Sequence, residues 1–220
     1  MPVKTWIGSE LNPMDGLFTL NEACLSEIGD AVSLIRDNPL PLLMLRPSNF
    51  HMPKCKELIN TVFDCLENGF GFCLLDRLPL EDMTDNEAKS IYWLLSQMLG
   101  RPVAQKWCDG RMLYSVTDLG RPSGNGVRPD VTNEEQSFHT DNSYNICPPN
   151  IVGLLCLQPS MSGGLSRVVN MKTVLERMET SNKTHIQRLY RPFVFDRQKE
   201  HSEMDPATLE NPILNCNGAV

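Results

Sequence analysis

Several features are scarce in this chain of 220 residues, and each scarcity excludes a class of protein. The sequence has no run of basic residues and a formal net charge of -7, which argues against nucleic acid or an anionic membrane as a partner. No stretch approaches the roughly 18 consecutive apolar residues of a transmembrane helix. The N-terminus carries no apolar signal core, so we expect neither a membrane anchor nor a secretory leader.

Cysteine is present, but not in the spacing of a structural metal site. The eight cysteines include no Cys-x-x-Cys pair, so the sequence gives no support for zinc. Cys55, Cys65, Cys73 and Cys156 lie within apolar segments, as small core residues do. We therefore expect reduced thiols in a cytoplasmic protein.

Helix-start and helix-stop signals bracket several segments of the chain. In a capping box, a Thr and a Glu three residues later satisfy each other's backbone amides. Proline in a first turn and glycine after a last turn mark the two ends of a helix. The bracketed segments are Thr19-x-x-Glu22 to Pro39, Pro53 to Gly69, Thr84-x-x-Glu87 to Gly100, and a helix that follows Asn170 as its cap.

Short apolar or alternating segments between turn residues indicate strands. They are residues 71–75, as a central strand, then 111–117, 151–157, 165–169 and 193–195. Helices come first and strands follow, which predicts an α+β domain whose strands form a sandwich or barrel. We divide the chain into an N-terminal helical segment, residues 1–68, and a core, residues 69–220.

The sequence Phe138-His139-Thr140-Asp141 is the strongest chemical signal. At the end of a strand, side chains two residues apart point the same way and can coordinate one metal ion together. A His and a carboxylate in this form are two of the three ligands of a 2-His-1-carboxylate iron site. His201-Ser202-Glu203 is a second match to the same short pattern, but it lacks the surroundings of the first.

These surroundings resemble the taurine dioxygenase/TfdA-like family of Fe(II)- and 2-oxoglutarate-dependent oxygenases. The resemblance covers about residues 69 to 196 and consists of several features in the same order. They are Gly69-Phe70-Gly71-Phe72 through Pro79, Tyr92-Trp93 through Pro102, the His139 motif, Pro148-Pro149 through Leu157, and Ser162-Gly163-Gly164-Leu165-Ser166.

The resemblance implies a double-stranded β-helix, the jelly roll of the clavaminate synthase-like type, with flanking helices. It implies Fe(II) held by His139 and Asp141, with 2-oxoglutarate as co-substrate and Ser166 among its contacts. It also implies oxidation of a small organic molecule by O2. Tyr144 and Asn145 follow the motif and are candidates to face that substrate. The sequence leaves the formation of a homo-oligomer open.

In complete members of the family, the site also includes two residues near the C-terminus. They are a distal His, which is the third iron ligand, and a distal Arg, which pairs with the far carboxylate of 2-oxoglutarate. This chain ends at Val220, so we expect only part of the jelly roll. His201 is a candidate for the third ligand, and Arg167 or Arg191 for the arginine. We expect His185 on a helix surface and His51 near a helix start. The alternatives are a catalytically inactive fragment, a binding module, or a metal-independent cupin-like structural domain.

Overall fold

The computed structural model of the protein describes residues 4–105, 109–122, 127, 129–143, 148–197 and 201–215. The chain divides into two compact units. The first consists of Met1–Pro102 and Gly153–Thr173, and the second of Val103–Val152 and Val174–Val220. The division at residues 68 and 69 stays a prediction. The main elements are β1 (Leu17–Thr19), α1 (Glu22–Asp37), α2 (Pro53–Asn68), β2 (Leu74–Asp76), α3 (Asp85–Leu99), α4 (Met171–Ser181), α5 (Lys183–Leu189), β3 (Pro192–Asp196) and β4 (Thr208–Pro212).

Helices α1, α2 and α3 form the core of the first unit. Each has an apolar stripe at helical spacing, and burial of these stripes is what keeps helices of this length folded. The most deeply buried side chains of the core are Cys24, Ile28, Leu45, Cys55, Ile91 and Leu94. Trp93 and Gln97 of α3 both donate hydrogen bonds to the carbonyl of Leu45, at 3.3 and 3.0 Å, and so satisfy a buried backbone acceptor.

The helix caps agree with the sequence at most positions, but not at the first. The predicted capping box at Thr19 is wrong, because Thr19 ends β1 and the Oδ1 of Asn21 accepts from the Cys24 amide instead. An Asn side chain caps as well as a Thr, and it is nearer to the first free amides. The box of Thr84 and Glu87 on α3 is confirmed.

Helix α2 is capped by a side chain from another helix. Both carboxylate oxygens of Glu27 in α1 accept amide hydrogens at the α2 N-terminus, from Lys54 and Cys55, each at 2.8 Å. Burial acts to raise the pKa of Glu27, but these amide hydrogen bonds outweigh it and the pKa lies below its ordinary value. The pair of bonds therefore fixes the position of α1 against the start of α2.

The sheet of the first unit is small and exposed. Strand β1 pairs with β2 in parallel, with Leu17 opposite Leu74 and Thr19 opposite Asp76. The strand that the sequence predicts at 71–75 is confirmed in part, but its central place is wrong, because a sheet of two strands has no central strand. Only Leu74–Asp76 form the strand, and Leu74 is 65% exposed.

Hydrogen bonds of the N-terminal segment connect the start of α4 to the rest of the first unit. The Trp6 amide donates to Thr173 Oγ1 at 3.1 Å, and the Trp6 indole donates to the Phe70 carbonyl at 2.8 Å. Asn170 caps α4, as the sequence predicts, because its Oδ1 accepts from the Thr173 amide at 2.9 Å. Its amide nitrogen donates to the Lys4 carbonyl at 2.9 Å.

Three of the predicted strands do not form. Residues 111–117, 151–157 and 165–169 are all irregular in the structure. In the last two, where the sequence indicates strands, Leu154 is 80% exposed and Leu165 is 89% exposed. A strand requires a neighbouring backbone to complete its hydrogen bonds, and apolar periodicity alone does not supply one.

The second unit contains an antiparallel pair of strands together with α5 and most of α4. Strand β3 pairs with β4 in a register that sets Val194 opposite Glu210. This confirms the strand predicted at 193–195 and adds a partner strand, Thr208–Pro212, which the sequence does not predict. The Arg188 guanidinium of α5 lies 3.6 Å from the centroid of the Phe193 ring, which fixes the helix end on the strand.

The architecture is therefore a mixture of helices and small sheets. In the part of the chain that the structure describes, no helix combines the length and the apolar character that crossing a membrane requires. The five cysteines found in this part are free thiols. The described strands form two small sheets and do not show a jelly roll directly.

The capping box makes a testable contribution to stability. We expect Thr84→Ala to lower the free energy of unfolding by about 1 kcal/mol, because an amide in the first turn of α3 loses its acceptor. Thr61→Ala is the matched control, since its hydroxyl only bonds the Glu57 carbonyl within α2. Urea unfolding followed by circular dichroism measures both variants, and equal losses would contradict the capping role.

The ion pair of Arg36 and Glu87 predicts a pH dependence. The Arg36 hydrogen bond, at 2.7 Å, and the Thr84 amide hold the pKa of Glu87 at about 2, below the ordinary 4.5. Stability gained from the lowered pKa is complete above pH 4.5 and is lost as the pH falls toward 2. The stability difference between the parent and Glu87→Gln, from urea unfolding at several pH values, should therefore shrink over this window. A difference that does not depend on pH would contradict the ionic contribution.

Candidate metal centre

His139 and Asp141 lie in an irregular segment of the second unit, beyond the single-turn helix Pro129–Val131. The expectation that they sit at the end of a strand is wrong. Alternation along a strand therefore does not bring the two side chains together, and local hydrogen bonds and turns must do so.

The two side chains nevertheless converge. Nε2 of His139 lies 3.2 Å from Oδ1 of Asp141, and the side chains are 51% and 49% exposed. The other ring nitrogen, Nδ1, lies 2.8 Å from the carbonyl oxygen of Ser137. A carbonyl oxygen only accepts, so this contact places a proton on Nδ1. In the neutral ring, Nε2 then presents its lone pair toward the carboxylate.

This arrangement fits two ligands of a divalent metal ion. A lone pair on imidazole nitrogen facing a carboxylate oxygen is repulsive unless a proton or a cation lies between them. With metal-ligand bonds of about 2.1 Å, adjacent corners of an octahedron are about 3.0 Å apart, close to the observed separation. The donor types are those of a 2-His-1-carboxylate site, and a hydrogen bond from Nδ1–H to a carbonyl is the usual support for a ligating His.

A third protein ligand is not seen among the described residues. No group of three or more His, Cys, Asp or Glu side chains in that part of the chain could hold a metal ion together. His201 lies in the turn between β3 and β4, where its Nδ1 is 2.8 Å from the Ser202 carbonyl. His185 is exposed on α5, and His51 is exposed just before α2, as the sequence predicts.

The remaining candidates fall in other places. Ser166 is exposed and belongs to the first unit, just after the turn made by Gly163 and Gly164. Both glycines have positive φ, at 75° and 70°, a conformation that suits glycine best. Tyr144 and Asn145 lie outside the described residues. Arg167, in the first unit, and Arg191, between α5 and β3, are both exposed, and their roles stay predictions.

Two features of the centre were not predicted from the sequence. The Ser137 carbonyl is a backbone group, so the identity of the residue gives no signal of its role. Asn142, directly after Asp141, has a φ of 51°. The signal for this was its residue type, because Asn adopts the left-handed conformation more readily than other residues with a Cβ.

Comparison with known proteins adds a family to this geometry. Residues 37–213 match the taurine catabolism dioxygenase TauD, TfdA family. The chain is also 26% identical over 199 residues to FR-33289 synthase of Streptomyces rubellomurinus (strain ATCC 31215). That alignment covers 90% of this chain and 57% of the relative, so the chain spans little more than half of the length of that protein.

The family match includes the His139 motif, the glycine turn and the β3–β4 pair. Enzymes of this family are dioxygenases that act on small molecules with O2 and depend on Fe(II) and 2-oxoglutarate. The match extends over well more than half of the chain, and this extent decides the assignment. The chain belongs to the taurine catabolism dioxygenase TauD/TfdA family.

Proposed function

We propose that this chain carries part of the catalytic site of an Fe(II)- and 2-oxoglutarate-dependent oxygenase that oxidises a small organic molecule. The observation that supports this most directly is the 3.2 Å approach of His139 Nε2 to Asp141 Oδ1, within a segment that matches the family. The substrate is identified only by this class.

In this proposal, His139 and Asp141 are two of the three protein ligands of Fe(II). The Ser137 carbonyl holds the proton on Nδ1, which keeps Nε2 free to donate its lone pair to the ion. Asp141 supplies a negative charge that offsets part of the charge of the ion. The bound ion would supply the activation of O2, coupled to oxidation of 2-oxoglutarate.

The partly exposed state of both ligands suits such a role. Their side chains are about half exposed, so one side of the pair is open to a co-substrate and to O2. A site with three protein ligands needs open positions for this purpose. Ser166 as a contact of 2-oxoglutarate, and Tyr144 and Asn145 as contacts of the substrate, remain part of the proposal.

We also propose that the described strands belong to a jelly roll whose completion requires further chain. The exposed Leu154 and Leu165 lie in segments that the sequence predicts as strands. The alignment covers 57% of FR-33289 synthase, so that protein has further residues available to complete such a fold. Residues 151–157 and 165–169 would then become strands when a neighbouring backbone pairs with them. A cytoplasmic setting, which keeps thiols reduced, completes this proposal.

The alternative function is a catalytically inactive fragment or binding module. The observation that favours this alternative is that no third metal ligand is seen among the described residues. Both proposals share the metal-binding pair and differ in whether turnover occurs, so they are separated by measuring product.

The first test concerns the ligand role of His139. In a protein complete through the distal His and Arg, we expect His139→Ala to reduce succinate formation from 2-oxoglutarate by more than about 100-fold. Loss of a supporting residue alone typically costs about 10- to 100-fold, and loss of a ligand should cost more. His185→Ala is the matched control, because His185 is exposed on α5. Comparable succinate formation by the His139→Ala protein and its parent would place the site elsewhere.

The second test concerns these 220 residues alone. We expect them to release almost no succinate with Fe(II), ascorbate and 2-oxoglutarate over a panel of small organic substrates. Loss of one partner of a charged pair costs about 2 to 5 kcal/mol, so a co-substrate that no arginine anchors should bind about 30-fold or more weakly. A complete member of the family is the positive control. Substrate-dependent turnover would instead direct attention to His201, and to Arg167 or Arg191.

A further inference from the structure

The backbone directly after Asp141 adopts a conformation that few residues tolerate. Asn142 has a φ of 51°, and it is the one residue other than glycine with positive φ in the part of the chain that the structure describes. For a residue with a Cβ, the left-handed region brings the Cβ close to the carbonyl oxygen that follows. Asn is the best tolerated of these residues after glycine.

Because Asn142 directly follows Asp141, its backbone conformation bears on how Asp141 is placed relative to His139. His139 and Asp141 are not in a strand, so alternation of side chains does not aim them at one point. The His139 ring is held from one side by the Ser137 carbonyl. On the other side, the direction in which the chain leaves Asp141 is set by the φ of Asn142.

We propose that Asn142 is a positioning residue, whose left-handed backbone holds the Asp141 carboxylate within 3.2 Å of His139 Nε2. This inference rests on the proposed role of His139 and Asp141 as metal ligands. A residue that disfavours positive φ would either keep the turn under strain or relax it and move Asp141 away. In both cases the arrangement that binds the ion becomes less populated.

The test compares substitutions at Asn142 that differ in their tolerance of positive φ. Asn142→Gly accepts this conformation without a steric cost, whereas Asn142→Val, which is β-branched, opposes it. The affinity of each variant of the 220-residue chain for Mn(II), used as a probe ion, is measured by the loss of the electron paramagnetic resonance signal of free Mn(II). Circular dichroism melts of the same samples report their folding.

We expect Asn142→Val to weaken Mn(II) binding by about tenfold, since the left-handed penalty is about 1 to 2 kcal/mol and 1.4 kcal/mol corresponds to tenfold. Asn142→Gly should stay within about twofold of the parent. Should the valine variant melt early, Asn142→Ala imposes the same kind of penalty without the branched side chain, and it should weaken binding in the same direction.

Gly110→Val is the matched control for strain elsewhere in the same unit. Gly110 has a φ of 63°, and no heavy atom lies within 4 Å of an added Cβ, so the change introduces strain without a clash. It should lower the melting temperature and leave Mn(II) affinity unchanged. An equal loss of affinity in Gly110→Val and Asn142→Val would overturn the positioning role.

Two further outcomes separate this inference from the proposal on which it rests. If His139→Ala loses Mn(II) binding while Asn142→Val and Asn142→Gly bind as the parent does, the ligand role stands and the positioning role is overturned. If His139→Ala binds Mn(II) as the parent does, the ligand role fails, and the positioning role fails with it.

Discussion

Burial of apolar side chains between α1, α2 and α3 is the interaction on which the first unit depends. Each fully buried Ile or Leu contributes about 1.5 to 3 kcal/mol, and Ile28, Ile91 and Leu94 are all completely buried. Polar bonds then fix the orientation of the helices, through the Glu27 carboxylate at the start of α2 and the ion pair of Arg36 with Glu87. Apolar contact holds these helices together, and the directional bonds determine how they are arranged.

The metal centre depends on a different constraint, which is where the protons lie on the facing side chains of His139 and Asp141. The Ser137 carbonyl requires a proton on Nδ1 of His139, which leaves Nε2 and Asp141 Oδ1 facing each other at 3.2 Å. Only a second proton or a cation relieves the repulsion between them.

The irregular segments at 151–157 and 165–169 show what apolar periodicity can and cannot establish. Residues 151–157 form a continuous apolar run and residues 165–169 end in two valines, yet Leu154 and Leu165 are almost fully exposed. Strands β3 and β4 do pair, because the chain turns back on itself between them and each strand supplies the other with a partner backbone. The presence of a partner backbone decides whether a strand forms, and a sequence window contains no information about a partner that lies outside it.

The sequence by itself determined the features that depend on near neighbours. These include the helix between Pro53 and Gly69, the capping box at Thr84, the cap at Asn170 and the spacing of His139 and Asp141. Only the tertiary structure decided that Glu27 caps a helix from 27 residues away, that β1 pairs with β2, and that a left-handed Asn142 follows Asp141. The physical reason is range: a cap or a motif is satisfied within a few residues, whereas sheet pairing and the closure of a metal site require groups that only folding brings together.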